Sequence, residues 1–549
     1  MAAIDRRVGW LFLAFAGLLT IALLRAVDLG VLQGPSLQRD AATQQVTNVP
    51  VPAARGTITD STGVELAISE AADNVIADPY LIKDPQRVAA QLSPLLGKPE
   101  LSLLPLLTEA HRGWVVLALQ IPGDLANEIT NMRIDGISMD PTVRRVYPRS
   151  TLAAQVLGTV GGYDQGLSGL ELEYNHALAG VAGQRRVVSD AIGQPISIDA
   201  VKATVPGQSL RLTINAALQT EVQQVLAGVG AQYSPKAATA IVMNPDTGAI
   251  LALASWPTVN ANDPPPPSNS NNSDMAVQFN YEPGSTFKAI TVSGALQEGL
   301  ITPNTEFTIP PYLEAYGQEI QDAEAHGYEQ LTTAGILKVS SNIGADLIGQ
   351  RLGPTQFNYW VHRFGFGSPT GVDLPGEDSG IILSPSLYSG TSMYNLPFGQ
   401  GESVTPMQMA TAYAAIANGG ILRPPHIVSQ IGNHTLPLPK GHRIISATTA
   451  AELRQMLRGV LGEGGTASGA AIQGYDMAGK TGTAQVVVNG KYSATEFDSS
   501  FIGMVPANDP KLLVAVVAHD TEQYGAGIAA PAFQKIVGWA VPYFGIDPR

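Results

Sequence analysis

Strand-forming sequence occurs in two widely separated blocks of this chain, and that separation constrains the fold more than any other feature. Ala238 to Met243 and Ala249 to Ala254 are short apolar runs joined by N-P-D-T-G, the composition of a hairpin turn. The second block holds Ala478 to Val488, Phe501 to Pro506 and Leu512 to Ala518. Between the blocks the apolar spacing is helical. A sheet that draws strands from both ends of such a region is covered by the helices between them, which predicts an α+β fold: a five-stranded antiparallel sheet flanked by helices. Leu210 to Asn215 reads as a strand leading into a helix from Ala216 to Leu226, with Asn215 as N-cap. A closing helix is expected from about Pro531 to Trp539.

Candidate chemistry lies along the intervening region and at the start of the second block. In Y-E-P-G-S-T-F-K (Tyr281 to Lys288), Pro283 and Gly284 form a turn that delivers Ser285 to the start of a helix, with Lys288 one turn later on the same face. A serine and lysine so placed can act as nucleophile and base, beside helix N–H groups that would stabilise an oxyanion. Alone, such a pair is weak evidence. Val339 to Gly344 (V-S-S-N-I-G) breaks a helical region running from about Thr332 to Gly365, so Ser340 and Asn342 can both point into one cleft. Lys480, Thr481, Gly482 and Thr483 open the strand Ala478 to Val488. Asp322, Glu324 and His326 are spaced like metal ligands but lack an H-E-x-x-H pattern, so they are expected to form a solvated loop. The Pro- and Asn-rich segment Asn260 to Asp274 reads as a mobile surface loop. Phe398 to Gly420 reads as a glycine loop followed by a core helix from Thr405-Pro406 to Asn418-Gly419.

The N-terminus sets the compartment. Val8 to Leu24 carries no charge, and at about 1.5 Å per residue nearly spans a hydrocarbon core of roughly 30 Å. Arg6 and Arg7 precede it, which predicts a cytoplasmic tail (1–7), a single-pass anchor (8–27) in the plasma (inner) membrane, and everything beyond outside the cytoplasm; the rival reading, a cleaved signal peptide, is disfavoured by the length of the run. A net charge of −14 with no basic run argues against a nucleic-acid partner, and the absence of cysteine excludes disulfides and thiolate chemistry. R-G-T-I-T-D (Arg55 to Asp60), R-R-V-Y-P-R-S-T-L-A-A-Q-V-L-G-T-V-G (Arg144 to Gly161) and G-L-S-G-L-E-L-E-Y-N-H-A-L-A-G (Gly166 to Gly180) group no nucleophile with a base, and are expected to belong to a folded spacer or interaction domain. Leu92 to Ala110, interrupted by Pro94, Pro99 and Pro105, predicts short helices.

Ser285-x-x-Lys288, Ser340-x-Asn342 and Lys480-Thr481-Gly482 occur in the order of the three motifs shared by penicillin-binding proteins and class A β-lactamases. With the anchor, the R-G-T-I-T-D and G-L-S-G-L-E segments and the F-G-Q-G…T-P-M-Q block, the chain resembles, over nearly its whole length, a class B penicillin-binding protein of the cell-division, FtsI-like type. That resemblance implies a penicillin-binding/serine-acyltransferase fold at 206–549 on an elongated, dimerisation-like pedestal at 28–205. It implies a D,D-transpeptidase that cross-links peptidoglycan stem peptides during septal wall synthesis and binds penicillin covalently. It makes Ser285 the nucleophile, Lys288 its base, Ser340 a proton relay, Asn342 a donor to the substrate amide and Lys480 an electrostatic group. Thr481, Gly482 and Thr483 would bind substrate, and the N–H groups of Ser285 and Thr483 would form the oxyanion hole. The implied partners are the lipid-linked precursor polymer, a SEDS-family (FtsW-like) glycan polymerase and other division-complex membrane proteins; no cofactor or metal is implied. To act as base, Lys288 must be uncharged, which calls for burial and the nearby charge of Lys480. The rival readings are an elongation-type transpeptidase, a β-lactamase, for which no E-x-x-L-N pattern follows Ser340, and a non-catalytic scaffold or β-lactam sensor.

Overall fold

The computed structural model of the protein describes residues 2–33, 46–109, 114–189, 195–266, 268–488 and 490–548; Ala110 and Pro267 of the segments read above lie outside them. One helix among the described residues, Ala2–Val27, is long and apolar enough to cross a membrane, and its apolar side chains from Val8 onward are exposed. Beyond it the chain forms two compact units. One comprises Met1–Ala54, Ala71–Val143 and Gly180–Pro206; the other comprises Arg55–Glu70, Arg144–Ala179 and Gly207–Arg549.

In the first unit, helices Pro85–Leu96, Glu100–Leu107 and Gly123–Asn131 bury Leu92, Leu103, Leu107 and Ile129 together with Leu117 of strand Val115–Pro122. Asp84 caps the first of these helices by accepting from Arg87 N, and Gly97 ends it in the left-handed region. The leucine-rich stretch thus forms two short helices that break at Gly97 to Pro99, while Pro94 and Pro105 lie inside them. A separate antiparallel sheet pairs Val46–Val51 with Gly183–Ser189 and that strand with Pro195–Lys202.

The second unit is built on the five-stranded antiparallel sheet, in the order Ile250–Trp256, Ala237–Met243, Leu512–Thr521, Lys491–Val505, Ala478–Val488. Its strands read as nearly continuous apolar runs because both faces are buried. Ala238, Ala240 and Val242 face a core shared with helices Ala216–Tyr233 and Ala529–Tyr543, while Ile241 and Met243 face the core that holds Phe287, Ala289 and Ile290. Asn215 accepts from Leu218 N at 3.0 Å and starts the first of those helices. The strand carrying Lys480 lies at the edge of the sheet.

Three glycine-punctuated motifs meet in this same unit. Arg55 and Glu171 have no exposed side-chain surface, and Arg55 reaches the Glu171 carboxylate at 2.8 Å while also donating to Asp164 O and Asn175 Oδ1. Arg145 Nε donates to the other Glu171 oxygen at 2.6 Å. These segments form a buried ion cluster in the compact unit that contains Ser285. The Pro- and Asn-rich loop is also held at both ends. Asn262 exchanges two hydrogen bonds with the Tyr147 backbone, and buried Asp274 caps the short helix Met275–Gln278.

Candidate active site

Ser285 sits in a 3-10 turn, Gly284–Phe287, that runs directly into helix Lys288–Gln297. Every residue of that helix from Lys288 to Leu296 is buried, so the lysine at its first position is removed from water along with its apolar neighbours. The turn is fixed from several sides. Gly284 N donates to Gly399 O at 2.9 Å, Tyr281 and Val404 exchange two backbone bonds, and Tyr413 Oη donates to Thr286 O at 2.6 Å. Gly399 has φ 86°, and a Cβ there would lie 2.3 Å from Gly284 O, so only glycine fits. The F-G-Q-G block and the helix Pro406–Ala417 therefore clamp the reactive turn. Thr405 caps that helix with a full capping box through Gln408.

The helical region after the turn breaks where its sequence says it should. Helix Thr333–Val339 ends at Ser340, in the left-handed region with φ 64°, and Ser341 caps helix Asn342–Arg363. Lys288 Nζ lies 2.9 Å from Ser285 Oγ, 2.5 Å from Ser340 O, 3.2 Å from Ser340 Oγ and 2.7 Å from Asn342 Oδ1. Lys480 Nζ, also fully buried, donates to Ser340 Oγ at 2.8 Å. The hydroxyl of Ser340 thus stands between two lysines. Asn342 uses its carbonyl on Lys288 and one N–H on Gln321 O, leaving one N–H for a ligand.

Thr481 and Thr483 line the same cleft, of about 1300 Å³, as Ser285, Ser340 and Asn342. Thr481 Oγ1 is 3.0 Å from Thr466 Oγ1, and Thr483 Oγ1 accepts from Gly525 N at 3.1 Å. Gly482 packs against the reactive turn: a Cβ there would lie 2.2 Å from Ser500 Oγ and 2.9 Å from Pro283 O. The eight residues singled out in the sequence are therefore brought to one place.

Burial, one of the two expected causes, is the larger influence on Lys288. Burial pulls Lys288 down to about 7, while the carboxyls of Asp322 and Asp346 oppose that shift. Lys480 is held well below the ordinary lysine range, by burial first and then by the charge of Lys288, a like-charge repulsion that acts on both lysines.

The segment around Asp322 is the exposed loop expected, but the Asp322 carboxylate itself turns into this site. Its carboxylate accepts from Ser341 Oγ at 2.7 Å, Asn342 N at 2.5 Å and Ile343 N at 3.0 Å, and so fixes the first turn of the helix that carries Asn342. His326 Nε2 lies 3.1 Å from the Asp322 oxygen that Ser341 also reaches. Asp322, His326 and Glu329 approach one another, whereas Glu324 is not part of that group. Sequence reasoning named Asp322 only as a metal-ligand candidate and gave no role to Thr466, Tyr413 or Asp346; Tyr413 lies in the Phe398 to Gly420 segment, the one signal near any of those three.

Residues 238–538 match the family described as the penicillin binding protein transpeptidase domain, and residues 50–212 match the penicillin-binding protein dimerisation domain. Stage V sporulation protein D of Bacillus subtilis is 33% identical over 94% of this chain and 81% of its own length. The peptidoglycan D,D-transpeptidase FtsI of Escherichia coli is 29% identical over 98% of this chain and 93% of its own. Among solved structures, penicillin binding protein 3 of Mycobacterium tuberculosis complexed with aztreonam is similar with a TM-score of 0.71 and 29% identity, covering 91% of this chain and 98% of that one.

Proposed function

The chain belongs to the class B penicillin-binding proteins, and from that premise we propose that Ser285 is the acylated nucleophile of a peptidoglycan D,D-transpeptidase and Lys288 its general base. The observation that carries the assignment is the 2.9 Å approach of a buried lysine, drawn toward neutrality, to the serine hydroxyl.

Ser285 Oγ attacks the carbonyl between the two terminal D-alanines of a stem peptide as Lys288 takes its proton. The C–N bond breaks, D-alanine leaves with a proton passed through Ser340, and an ester on Ser285 remains. Ser340 suits this task because Lys480 donates to its oxygen, which leaves its own proton free to move. An amine from a second stem peptide then attacks the ester, forms the cross-link and restores the Ser285 hydroxyl. The backbone N–H groups of Ser285 and Thr483 would receive the oxyanion. Asn342 would donate to the substrate amide, and Thr481 and Thr483 to the substrate carboxylate, with Gly482 keeping the strand close to the reactive turn. The edge position of that strand suits an extended peptide that pairs with its backbone.

We assign the transpeptidase part to 206–549 and the pedestal to 28–205, supported by the two family matches. The apolar helix Ala2–Val27 anchors the chain, with Arg6 and Arg7 on the cytoplasmic side and the cleft outside. The role is septal, beside an FtsW-like glycan polymerase; F-G-Q-G at Phe398 to Gly401 and similarity to FtsI support this. A fluorescent penicillin is expected to label the detergent-solubilised chain persistently, and Ser285→Ala to abolish the label. An unlabelled wild type would overturn the enzyme reading, and rapid release of hydrolysed drug would favour a β-lactamase. Depletion in the native cell is expected to give filaments; rounded cells would reject the septal role.

A further inference from the structure

Strands Leu313–Ala315 and Gln318–Ile320 form a hairpin closed by a two-residue turn, Tyr316-Gly317, with φ of 51° and 75°. A turn of that kind needs positive φ at both positions, and asparagine, aspartate or glycine is its usual first residue. A tyrosine is out of place there, because its Cβ crowds its own backbone. Its ring is nevertheless 76% exposed and lines the cleft that holds Ser285. The ring packs against Gly390, where a Cβ would lie 2.6 Å from it. Gly390 does not have a positive φ, so its missing side chain makes room for the ring and serves no special backbone conformation. The hairpin is itself held in place. Ala315 and Ile320 are buried with Ala345 of helix Asn342–Arg363 and with Phe398, and the chain continues to Gln321, whose carbonyl accepts from Asn342 Nδ2.

We propose that Tyr316 is a specificity-determining residue of the transpeptidase reaction: its ring is the wall on which the acceptor stem peptide lays the hydrocarbon of its amine-bearing side chain. This rests on the reading of the cleft as a transpeptidase site. On that reading the donor peptide pairs with the edge strand Ala478–Val488, so the second peptide needs a surface of its own. The hairpin and the residues after it supply one. Beside Tyr316 they bring the exposed carboxylates of Glu319 and Glu324 to the cleft, and no lysine or arginine lines it among the described residues. An aliphatic ammonium is thus met by an aromatic ring, which takes both its methylenes and its charge, and by carboxylates that attract it. A neutral sugar gains nothing from those carboxylates, which favours the peptide over the glycan as the occupant.

The test compares acceptors on the solubilised full chain, with a benzoyl-D-alanyl thioester as acyl donor. The acceptors are D-alanine, the stem tripeptide released from the native cell wall, and the same tripeptide still joined to its disaccharide. Tyr316→Asn puts into the turn a residue that adopts positive φ readily, so the melting temperature should hold or rise. Its kcat/KM for the tripeptide, relative to that for D-alanine, is expected to fall about tenfold, through KM more than kcat. Tyr316→Phe, which keeps the ring, should stay within about threefold of the wild-type ratio. Gly390→Ala, which keeps the tyrosine but displaces its ring, should lower the ratio as well. An unchanged ratio in Tyr316→Asn overturns the proposal, as does an equal loss with D-alanine and tripeptide, which is what a purely structural role gives. A loss confined to the disaccharide-linked tripeptide would assign the ring to the glycan and overturn it too. A wild type that forms no product with any acceptor would sink the transpeptidase reading itself, whereas an active wild type with an unmoved variant ratio sinks only the role of Tyr316.

Discussion

Lys288 Nζ and Ser285 Oγ stand 2.9 Å apart, and the lysine has no exposed surface. Desolvation brings Lys288 to about 7, so the free base is the minority form below that pH and the majority form above it. The acylation rate is therefore expected to rise with pH through about 7 and level off above, falling about tenfold per unit on the acid side. A rate independent of pH between about 5.5 and 8.5 would remove Lys288 from the role of base.

The turn that presents Asn342 hangs on Asp322, which no motif names. Asp322→Ala removes the acceptor for two backbone N–H groups and the Ser341 hydroxyl. Acylation is expected to drop by at least about tenfold, with a stability loss of about 1–3 kcal/mol. Asp322→Asn, which keeps one acceptor oxygen, should fall between. Thermal melts beside labelling rates check this; an unchanged rate in the alanine variant would show that the turn is held elsewhere.

Gly482→Ala asks whether the close approach of the edge strand to the reactive turn is needed. The added methyl would meet Ser500 Oγ at 2.2 Å and Pro283 O at 2.9 Å, so the strand must move away from Ser285. Labelling should fall by about a hundredfold or more, as expected when reacting groups shift by about 1 Å. Near-normal labelling would mean that the turn can yield.

Glu171 supplies the anionic part of the buried Arg55 and Arg145 cluster. Glu171→Ala leaves two guanidinium groups without their carboxylate in a dry site, and a loss of about 3–5 kcal/mol is expected. A melting shift of a few degrees or less would show that water or relaxation compensates. Whatever fraction remains folded should still be labelled, since the cluster makes no contact with Ser285.

How far these features can be read from the residues depends on distance along the chain. The reactive turn, the break at Ser340 and the strand at Lys480 are local: each has its turn residue, cap or apolar run within a few positions, and the three chemical motifs sit on them. The apolar blocks also fix the sheet, because strands buried on both faces must be apolar at every position. The Asp322 link is different, since a loop aspartate between short strands looks like any solvated acid until the fold carries it to Asn342. Arg55, Arg145 and Glu171 are equally opaque, being far apart in sequence and recognisable only as a paired set. The desolvation of Lys288 comes from a helix buried on every side, whose few residues carry no clear polar face.

The most direct measurement is peptide mapping by mass spectrometry after the full chain has reacted with benzylpenicillin. One adduct is expected per chain, on the peptide containing Ser285 and lost in Ser285→Ala. An adduct on any other residue, or none in a protein shown to be folded, would contradict the assignment of Ser285 as the nucleophile.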